Sequence, residues 1–492
     1  MSSSAETELV ASVPKGLFID GRWRSAEGDA VFAVEDPATG APIAHVADGS
    51  PTDALEALAA ADMARLDWMR AAPRERGDIL RRAFELVTER AEQFALLITL
   101  EMGKPIAEAR GEVAYAADFL RWFSEEAVRI PGRYATSPDG RSRLLVARRP
   151  VGPCLLITPW NFPLAMATRK VAPAVAAGCT MVLKPAEATP LTAALFVSVM
   201  QEAGLPGGVL NLHQTSAADA SVSVLLKDQR LRKVSFTGST AVGRHLLAGA
   251  ARNVLRTSME LGGNAPFLVF EDADIGAAVD GAMIAKMRNM GEACTAANRF
   301  IVHQDVAQDF AVRLAERMAG LTIGRGTDPS AQVGPMIDRR AREKISALVK
   351  EAVDFGVEVV TGGETPEGPG YFYPPTVLRG VPANARILHE EIFGPVAPIV
   401  TFGTEGEAIA AANDTEYGLA AYVYTTDLGR ALRMSEQLET GMLGVNAGAI
   451  SNAAAPFGGV KQSGMGREGG SEGIEEYLSV QYIGIPDPYA AL

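Results

Sequence analysis

The first quarter of the chain carries apolar residues at the spacing typical of amphipathic helices. Between Arg74 and Met102 they recur every three or four positions, which places them on one face of a helix. The same pattern predicts helices over Thr52–Trp68 and Ile106–Ser124. Ahead of them, residues 1–15 are polar and predicted to be frayed. The alternation across Leu17–Ala33 predicts a β-hairpin.

From Val151 onward, short apolar runs alternate with alanine-rich helical segments. The runs are Val151–Ile157, Cys179–Leu183, Val209–Leu212 and Lys233–Phe236. Strands that alternate with helices form parallel sheets covered by those helices. The pattern therefore predicts an α/β domain.

A second alternating set begins after Glu260-Leu261-Gly262-Gly263. Its apolar runs include Phe267–Phe270, Phe300–Val302 and Ala420–Tyr424, and helical segments such as Asp274–Met290 separate them. This set predicts a second α/β domain.

Two further strands fit neither domain. Arg141–Arg149 alternates and is rich in arginine, which is typical of solvated charge on an edge strand. Glu475–Ile485 is an apolar strand with no helix after it. A terminal strand of this kind is exposed unless it pairs, and the sheet of another subunit is one partner that would cover it.

Composition narrows the class of protein. The 492 residues are 48% hydrophobic and 21% charged, with a net charge of −13, so we expect a soluble protein that binds neither nucleic acid nor an anionic membrane. The three cysteines do not form a disulfide framework, and residues 1–14 lack the pattern of a signal peptide. We therefore expect a cytoplasmic location. The five histidines have no paired ligand spacing, and no metal is expected.

One cysteine lies where a substrate could reach it. Cys294 sits among small residues in Asn289–Asn298, between a helical segment and a strand. A thiol is the side-chain nucleophile that needs least activation. The loop alone leaves a second interpretation open, because free cysteine is often a small buried hydrophobe. Cys154 and Cys179 lie inside apolar runs and are interpreted as packing residues.

Two turns after strands are suited to a nucleotide. Gly238 and Gly243 flank a strand-to-helix turn, where a backbone without side chains could approach a pyrophosphate. Lys184 and Glu187 follow another strand. A glutamate there can accept from both ribose hydroxyls and would repel a 2′-phosphate, which predicts NAD over NADP. Structural glycines and surface charges are the alternatives.

Two more polar residues follow strands. Asn161, in Trp160-Asn161-Phe162-Pro163, offers an amide that suits an oxyanion donor, or a turn former. Glu260 stands between Met259 and Leu261, a setting that raises a carboxylate pKa toward that of a useful base. A cap or a salt-bridge partner is the alternative for Glu260.

Seven motifs as a set resemble the NAD(P)-dependent aldehyde dehydrogenases over nearly the whole chain. They are Trp160-Asn161-Phe162-Pro163, Lys184-Pro-Ala-Glu187, Phe236-Thr-Gly-Ser-Thr, Glu260-Leu-Gly-Gly263, the Cys294 loop, Glu391-Ile-Phe-Gly-Pro-Val396 and Pro456-Phe-Gly-Gly.

The resemblance implies an α/β fold with a Rossmann-like NAD-binding domain, a second α/β catalytic domain and a small β oligomerisation flap. We assign residues 1–128 and 148–260 to the NAD-binding domain and 261–462 to the catalytic domain. Residues 129–147 and 472–492 are assigned to the oligomerisation strands. A homodimer or homotetramer is expected.

The resemblance also implies the chemistry. Cys294 would attack an aldehyde, Asn161 with the Cys294 backbone N–H would hold the alkoxide, and Glu260 would activate water to hydrolyse the thioester. Glu468 matches a second carboxylate near the water path. NAD, or NADP as the other possibility, would be held by residues at the matching positions: Thr158, Trp160, Lys184, Glu187, Gly238, Ser239, Gly243, Leu261, Glu391 and Phe393.

The substrate is predicted from the branch of the family that the chain most resembles, the succinate-semialdehyde dehydrogenases. Its closest local match is Gly448–Gly459. In that branch two arginines and a serine grip the substrate carboxylate, and Arg169, Arg288 and Ser451 are at the matching positions. A guanidinium fork orients a short anionic aldehyde. Glutarate semialdehyde, or a broader set of small aldehydes, is the alternative.

Two departures from the family pattern lie beside Cys294. Glu292 stands where the family usually has glutamine, and such a carboxylate could raise the thiol pKa or be turned away. Ala296 stands where some relatives have a second cysteine, so a disulfide within the loop is not available. A non-catalytic structural or binding protein on this scaffold is the hypothesis from another class, and the intact Cys294, Glu260 and Asn161 speak against it.

Overall fold

The computed structural model describes residues 3–489. Its helices, in chain order, are α1 Ser3–Ser12, α2 Pro51–Arg70, α3 Pro73–Glu89, α4 Ala91–Met102, α5 Ile106–Glu126, α6 Pro163–Ala177, α7 Pro190–Glu202, α8 Ala218–Lys227, α9 Thr240–Ala251, α10 Ile275–Met287, α11 Ala307–Ala319, α12 Arg339–Asp354, α13 Glu405–Asn413, α14 Leu428–Gln437 and α15 Glu472–Glu475. Short 3₁₀ turns span Glu27–Asp29, Arg288–Gly291 and Arg386–Leu388.

The strands are β1 Leu17–Ile19, β2 Arg22–Arg24, β3 Val31–Asp36, β4 Ala41–Ala47, β5 Arg133–Thr136, β6 Ser142–Pro150, β7 Cys154–Ile157, β8 Met181–Lys184, β9 Leu210–Leu212, β10 Lys233–Thr237, β11 Arg256–Glu260, β12 Ala265–Val269, β13 Ala297–His303, β14 Glu358–Thr361, β15 Thr376–Arg379, β16 Val396–Phe402, β17 Tyr417–Gly418, β18 Ala420–Tyr424, β19 Met442–Val445, β20 Val460–Lys461, β21 Gly464–Met465 and β22 Leu478–Pro486.

The first large sheet has a Rossmann-like core. Its order is β2-β1-β9-β8-β7-β10-β11-β21, and the five strands from β9 to β11 run parallel. Within this parallel part the chain starts at β7, adds β8 and β9 on one side, and returns to add β10 and β11 on the other. Strand order therefore reverses between β7 and β10, which is where doubly wound sheets bind their ligands.

The second large sheet has the order β14-β15-β16-β13-β12-β18-β19. All its strands are parallel except β14. The chain passes from the carboxyl end of β11 to the amino end of β12 within four residues. The carboxyl edge of the first sheet therefore lies beside the amino edge of the second. This architecture confirms the predicted pair of α/β domains.

The third sheet has three strands in the order β22-β6-β5. The C-terminal strand β22 pairs with β6 of its own chain from Leu478 to Pro486, so it does not need another subunit for a partner. The other edge of β22 is unpaired among the described residues. The arginine-rich strand β6 is central here, so its assignment as an edge strand was wrong. The predicted segments 1–128 and 472–492 include residues 1–2 and 490–492, which lie outside the described residues.

Helix boundaries differ from the expectations in two places that matter. The segment 3–12 is a helix rather than a frayed end, because Val10 and Val13 are buried and Glu6 forms an ion pair with Arg325 at 2.9 Å. The long helix predicted between Arg74 and Met102 is broken at Arg90. Periodicity alone did not show this break, because apolar spacing continues across it.

Helix α6 positions several polar groups of the site. Pro163 stands at its first turn, where a missing N–H costs nothing. The Glu112 side chain of α5 accepts hydrogen bonds from the N–H groups of Leu164 and Ala165 at 3.0 and 3.3 Å, so a buried carboxylate satisfies free donors of that helix end. The whole of α6 is buried, so its polar side chains have fixed surroundings.

Candidate active site

A cavity of about 840 Å³ opens where the edges of the two large sheets meet. Most residues assigned to the site from the sequence line it: Cys294, Glu260, Asn161, Trp160, Glu187, Gly238, Ser239, Leu261, Glu391, Phe393, Arg169, Arg288 and Ser451. The remaining three, Thr158, Lys184 and Gly243, are buried and do not line it. Residues scattered over nearly 300 positions of sequence therefore meet in one place.

The cysteine loop is held in an unusual backbone conformation. Asn289 and Met290 have φ of 53° and 56° and Gly291 has φ of 78°, a left-handed turn that costs free energy for non-glycine residues. A side chain on Gly263 would place its Cβ 2.4 Å from the carbonyl oxygen of Cys294, so only glycine permits this approach. Among the three cysteines, only Cys294 is partly exposed.

The surroundings of Cys294 favour the neutral thiol. Burial is the largest cause that raises its pKa, to about 12, and Glu391 and Glu260 add to the effect, whereas Arg169 and Arg288 oppose it. The thiol therefore holds its proton at neutral pH, and a base or a change in the field is needed to produce the thiolate.

Asn161 is fixed at both ends. Its backbone carbonyl accepts hydrogen bonds from Lys104 Nζ at 2.8 Å and from Asn289 Nδ2 at 3.0 Å. Its side-chain amide donates to the carbonyl of Glu292 at 3.0 Å. An amide nitrogen carries two hydrogens, so one N–H of Asn161 is left for a ligand.

Glu260 is a buried carboxylate with no partner. It lies at the end of β11 and is 3% exposed, and neither side-chain oxygen has a hydrogen-bond partner among the described residues. Burial, and next the nearby Glu468, raise its pKa well above the ordinary value. An acid with these neighbours is neutral at rest and becomes a base when it ionises.

Glu468 is buried as deeply but is paired. It accepts a hydrogen bond from Lys170 Nζ at 2.6 Å and forms an ion pair with Arg169 at 2.7 Å. Burial alone would raise its pKa, yet the two cations lower it below the ordinary value. Lys170 also donates to Ser235 at 3.0 Å.

Glu292 is turned away from the thiol. Its Oε1 accepts a hydrogen bond from the Ile337 backbone N–H at 3.1 Å, and its Oε2 has no partner among the described residues. Burial raises its pKa well above the ordinary value. Of the two possibilities that the sequence left open, the structure favours the second: a neutral acid that points elsewhere.

The switch point of the first sheet fits a dinucleotide. Ser239 caps α9, whose positive end faces the cavity, and the buried hydroxyl of Thr237 there has no partner among the described residues. Gly243 lets Leu261 pack directly on α9, since a Cβ would lie 2.4 Å from the leucine side chain. The Nζ atom of Lys184 and the Oε2 atom of Glu187 are 3.6 Å apart.

Another wall of this region contains Glu391 and two rings. Glu391 accepts a hydrogen bond from the Gly263 N–H at 3.1 Å, and burial raises its pKa to about 7. The rings of Trp160 and Phe393 meet edge to face with centroids 5.5 Å apart. The donors, carboxylates and aromatic faces are of the types that recognise a nicotinamide dinucleotide.

The two arginines assigned to the substrate differ. Arg169 lines the cavity, but its guanidinium is ion-paired with Glu468 and lies 3.9 Å over the Phe457 ring. The Arg288 guanidinium forms no hydrogen bond or ion pair with any described residue and lies 5.1 Å over the Phe162 ring. The expected fork of two free arginines is therefore one free guanidinium and one that is already paired.

Sequence reasoning missed the buried cations that organise the site. Lys170 stands next to Arg169, and a lysine inside an alanine-rich buried helix could have signalled a buried partner. Lys104 had no such signal, because it follows a glycine and its partner Glu112, at 2.5 Å, lies on the next helix.

The chain belongs to the aldehyde dehydrogenase family, whose model matches residues 23–483. It is an NAD(P)-dependent oxidoreductase, and the hypothesis of a non-catalytic protein on this scaffold is not supported. The resemblance to aldehyde dehydrogenases that the seven motifs carry is therefore confirmed, and so is the predicted fold class.

Individual relatives are similar over nearly their whole length. The chain is 67% identical over 447 residues to a succinate-semialdehyde dehydrogenase of Paenarthrobacter nicotinovorans, covering 91% of this chain and 99% of that one. It is 46% identical over 466 residues to a glutarate-semialdehyde dehydrogenase of Pseudomonas aeruginosa, covering 95% and 96%. A solved structure of betaine aldehyde dehydrogenase from Staphylococcus aureus with NAD+ superposes with a TM-score of 0.96 at 35% identity, covering 99% and 97%.

Among residues 3–489, none of the helices combines the length and apolar character needed to cross a bilayer.

Proposed function

We propose that this enzyme oxidises succinate semialdehyde to succinate, with NAD as the preferred electron acceptor. The observation that carries the substrate class is Arg288, whose unpaired guanidinium lies over the Phe162 ring in the cavity that contains Cys294. A carboxylate on the substrate would give it a bidentate partner. The protein as a whole has a net charge of −13, so a local cation is needed to hold an anion. The names of the two relatives above support a semialdehyde.

Covalent chemistry begins at Cys294. The thiol first loses its proton to solvent, and the thiolate then adds to the aldehyde carbon, so that a C–S bond forms and the carbonyl oxygen becomes an alkoxide. The free N–H of Asn161 and the backbone N–H of Cys294 would donate to that alkoxide, since both are held by their surroundings before substrate binds. When bound, the nicotinamide cofactor supplies the acceptor for the hydride, which leaves a thioester on Cys294.

Glu260 completes the reaction. In its ionised form it would take a proton from water while the water oxygen attacks the thioester carbon. The C–S bond then breaks, the proton taken by Glu260 passes to the departing sulfur, and the acid is released while Cys294 regains its thiol. The cofactor would be held within this cavity by Trp160, Ser239, Leu261, Glu391 and Phe393. The protein backbone around the cofactor would be shaped by Thr158, Gly238 and Gly243.

Arg288→Ala tests the substrate class. The KM for succinate semialdehyde should rise about tenfold to a hundredfold, since a charge-assisted hydrogen bond contributes about 1.5–3 kcal/mol. The KM for propanal, which has no carboxylate, should change little. A matched control is Arg313→Ala, which removes an arginine from the exposed face of α11. Equal effects of Arg288→Ala on both aldehydes would contradict the proposal.

Chain length needs its own comparison. Glutarate semialdehyde is the second candidate, favoured by the 46% identical relative from Pseudomonas aeruginosa. It carries the same carboxylate one carbon further from the aldehyde. A higher kcat/KM for glutarate semialdehyde than for succinate semialdehyde would replace the first substrate with the second and leave the rest of the chemistry unchanged.

Glu187 supports the preference for NAD. Its side chain is 62% exposed and 3.6 Å from Lys184, where a carboxylate would repel a 2′-phosphate. Glu187→Ser should shift the ratio of kcat/KM values toward NADP by roughly tenfold, equivalent to about 1.4 kcal/mol. A wild-type enzyme that already prefers NADP would contradict this assignment.

A homo-oligomer is the assembly that the third sheet favours. Tyr134, Val480 and Tyr482 on it are 65%, 62% and 60% exposed, and the outer edge of β22 has unpaired backbone groups. Val480→Glu with Tyr482→Glu should lower the mass measured by light scattering; an unchanged mass would exclude this surface as the interface.

We place the enzyme in the cytoplasm because all three cysteines are free, and cell fractionation tests that.

A further inference from the structure

We propose that Glu292 is a positioning residue that ties the cysteine loop to the segment leading into α12, and so sets the orientation of the Asn161 amide. The proposal rests on the roles proposed above for Cys294 and Asn161. It gives a function to a residue that departs from the glutamine usual in the family.

Glu292 connects three parts of the cavity wall. Its side chain accepts a hydrogen bond from the Ile337 N–H at 3.1 Å. Its backbone carbonyl accepts from the Asn161 amide at 3.0 Å and from the Asn289 amide at 2.8 Å. The residue that is two positions from the nucleophile is therefore the acceptor for the side chain proposed to hold the alkoxide.

The segment that Glu292 holds is itself part of the site. Ile337 and Asp338 line the cavity, and the Asp338 side chain caps α12 by accepting from the Ala341 N–H at 2.7 Å. Further along α12, Lys344 donates to the carbonyl of Glu391 at 2.6 Å. The tie at Glu292 thus joins the cysteine loop to the wall that contains the cofactor residues.

A displaced tie would alter the oxyanion donor directly. If the Glu292 side chain lost its hold on Ile337, its carbonyl could move, and the Asn161 amide would lose its fixed direction. Displacements of about 1 Å at a reacting centre can cost on the order of a hundredfold in rate. The lost hydrogen bond would also change the thermal stability of the protein, but such a change would not identify the Asn161 amide as the group affected.

The charge state of Glu292 sets the cost of burying its side chain, whereas the Ile337 hydrogen bond itself favours the ionised form. Burial raises its pKa well above the ordinary value, so at neutral pH the group is neutral and has the shape of glutamine. The charged groups around it are Lys104, which opposes the shift, and Asp338, which adds to it, with Glu108 bonded to the Asn289 N–H of the same loop. Ionisation would bury an anion near Asp338, and its side chain accepts only the Ile337 N–H among the described residues.

The test compares two substitutions over a range of pH. Glu292→Leu removes the acceptor and should lower kcat by roughly tenfold to a hundredfold, on succinate semialdehyde and on propanal alike. Glu292→Gln keeps an acceptor and should recover most of that loss. At alkaline pH the wild type should fall below Glu292→Gln in activity, because only the wild type can ionise at this position. Glu343→Gln, an exposed residue on α12, is the matched control and should behave as wild type.

The outcomes separate this proposal from the proposed function. A Glu292→Leu enzyme with wild-type kcat, or a Glu292→Gln enzyme with the same alkaline loss as wild type, would overturn the role of Glu292. If Glu292→Leu does not fold, the pH profile of Glu292→Gln still decides. Failure of the catalytic assignment would instead appear as activity that survives Cys294→Ala, and failure of the substrate assignment as equal effects of Arg288→Ala on both aldehydes.

Discussion

Glu260 and Glu468 lie near one another and are both almost fully buried, at 3% and 5% exposed. Glu260 has no hydrogen-bond partner, and its pKa is raised. Glu468 is held by Lys170 and Arg169, and its pKa is lowered. Burial therefore does not decide what a carboxylate can do here; its neighbours do. The unpaired group is available as a base, and the paired group is a fixed counter-charge.

The two groups are also linked. Glu468 is the second largest cause of the raised pKa of Glu260, after burial. A fixed anion at Glu468 thus keeps a proton on Glu260 until the pH rises or the field in the cavity changes. The paired carboxylate tunes the unpaired one without touching substrate.

The largest expected effect comes from Glu260→Gln. Steady-state turnover should fall by roughly a hundredfold to ten-thousandfold, the contribution typical of a general base. NADH formation in the first turnover should survive, because it precedes hydrolysis. Stopped-flow absorbance at the NADH band, followed into steady state, separates the two phases.

The wild-type profile gives the pH dependence. Because the pKa of Glu260 is raised, the base is mostly protonated at low pH and kcat should increase as pH rises through that pKa. Glu260→Gln should lack this rise. Equal loss of the first turnover and of the steady state would show that Glu260 acts before hydrolysis.

Glu468→Gln should act mainly on stability. It leaves the ammonium of Lys170 and the guanidinium of Arg169 buried without their anion, and breaking such a pair costs about 3–5 kcal/mol. Denaturant unfolding measures the loss. Glu472→Gln, an exposed residue four positions further on, is the control.

The same variant sharpens the link between the two carboxylates. Without the anion at Glu468, the pKa of Glu260 should fall, so the rise of kcat should move to lower pH. A stable Glu468→Gln enzyme with an unchanged pH profile would contradict the claim that the Glu468 anion raises the pKa of Glu260.

The smallest effect of the series should be a gain. Glu292 resembles Glu260 in being buried with a raised pKa, so the folded state keeps a proton that the unfolded state loses above the ordinary glutamate pKa. Stability should then decrease as pH rises from that value toward the folded pKa. Glu292→Gln has no such dependence and should be more stable than the wild type at neutral pH, by an amount that grows as pH rises. Thermal unfolding at pH 5 and pH 8 measures it; a gain that does not grow with pH would contradict the neutral state of Glu292.

Much of the fold could be predicted because its signals are local. The apolar runs from Val151 to Phe236 and the helices between them follow from periodicity, and Ala420–Tyr424 has the bounds that were predicted. The tail was different. That β22 pairs with β6 of the same chain depends on two segments more than 300 residues apart, and no local pattern encodes it.

Some residues of the site could likewise be predicted from local sequence, and others could not. Cys294, Asn161 and Glu260 could be placed from motifs, since each is a reactive group at the end of an element. The pairing of Arg169 with Glu468 could not, because an arginine near a substrate and an arginine in an ion pair have the same residue type and helical spacing. Lys104 and Lys170 were missed because their function depends on the folded chain: Lys104 contacts Glu112 of the next helix and the carbonyl of Asn161, and Lys170 contacts Glu468, 298 positions away.

The central claim is that Cys294 carries the acyl group. Mass spectrometry of Glu260→Gln, quenched soon after mixing with succinate semialdehyde and NAD, tests it most directly, with the double variant Cys294→Ala, Glu260→Gln beside it. We expect one succinyl group on the peptide that contains Cys294 in the single variant and none in the double variant. An intact protein without that group during NADH formation, or NADH formation by the double variant, would contradict the account.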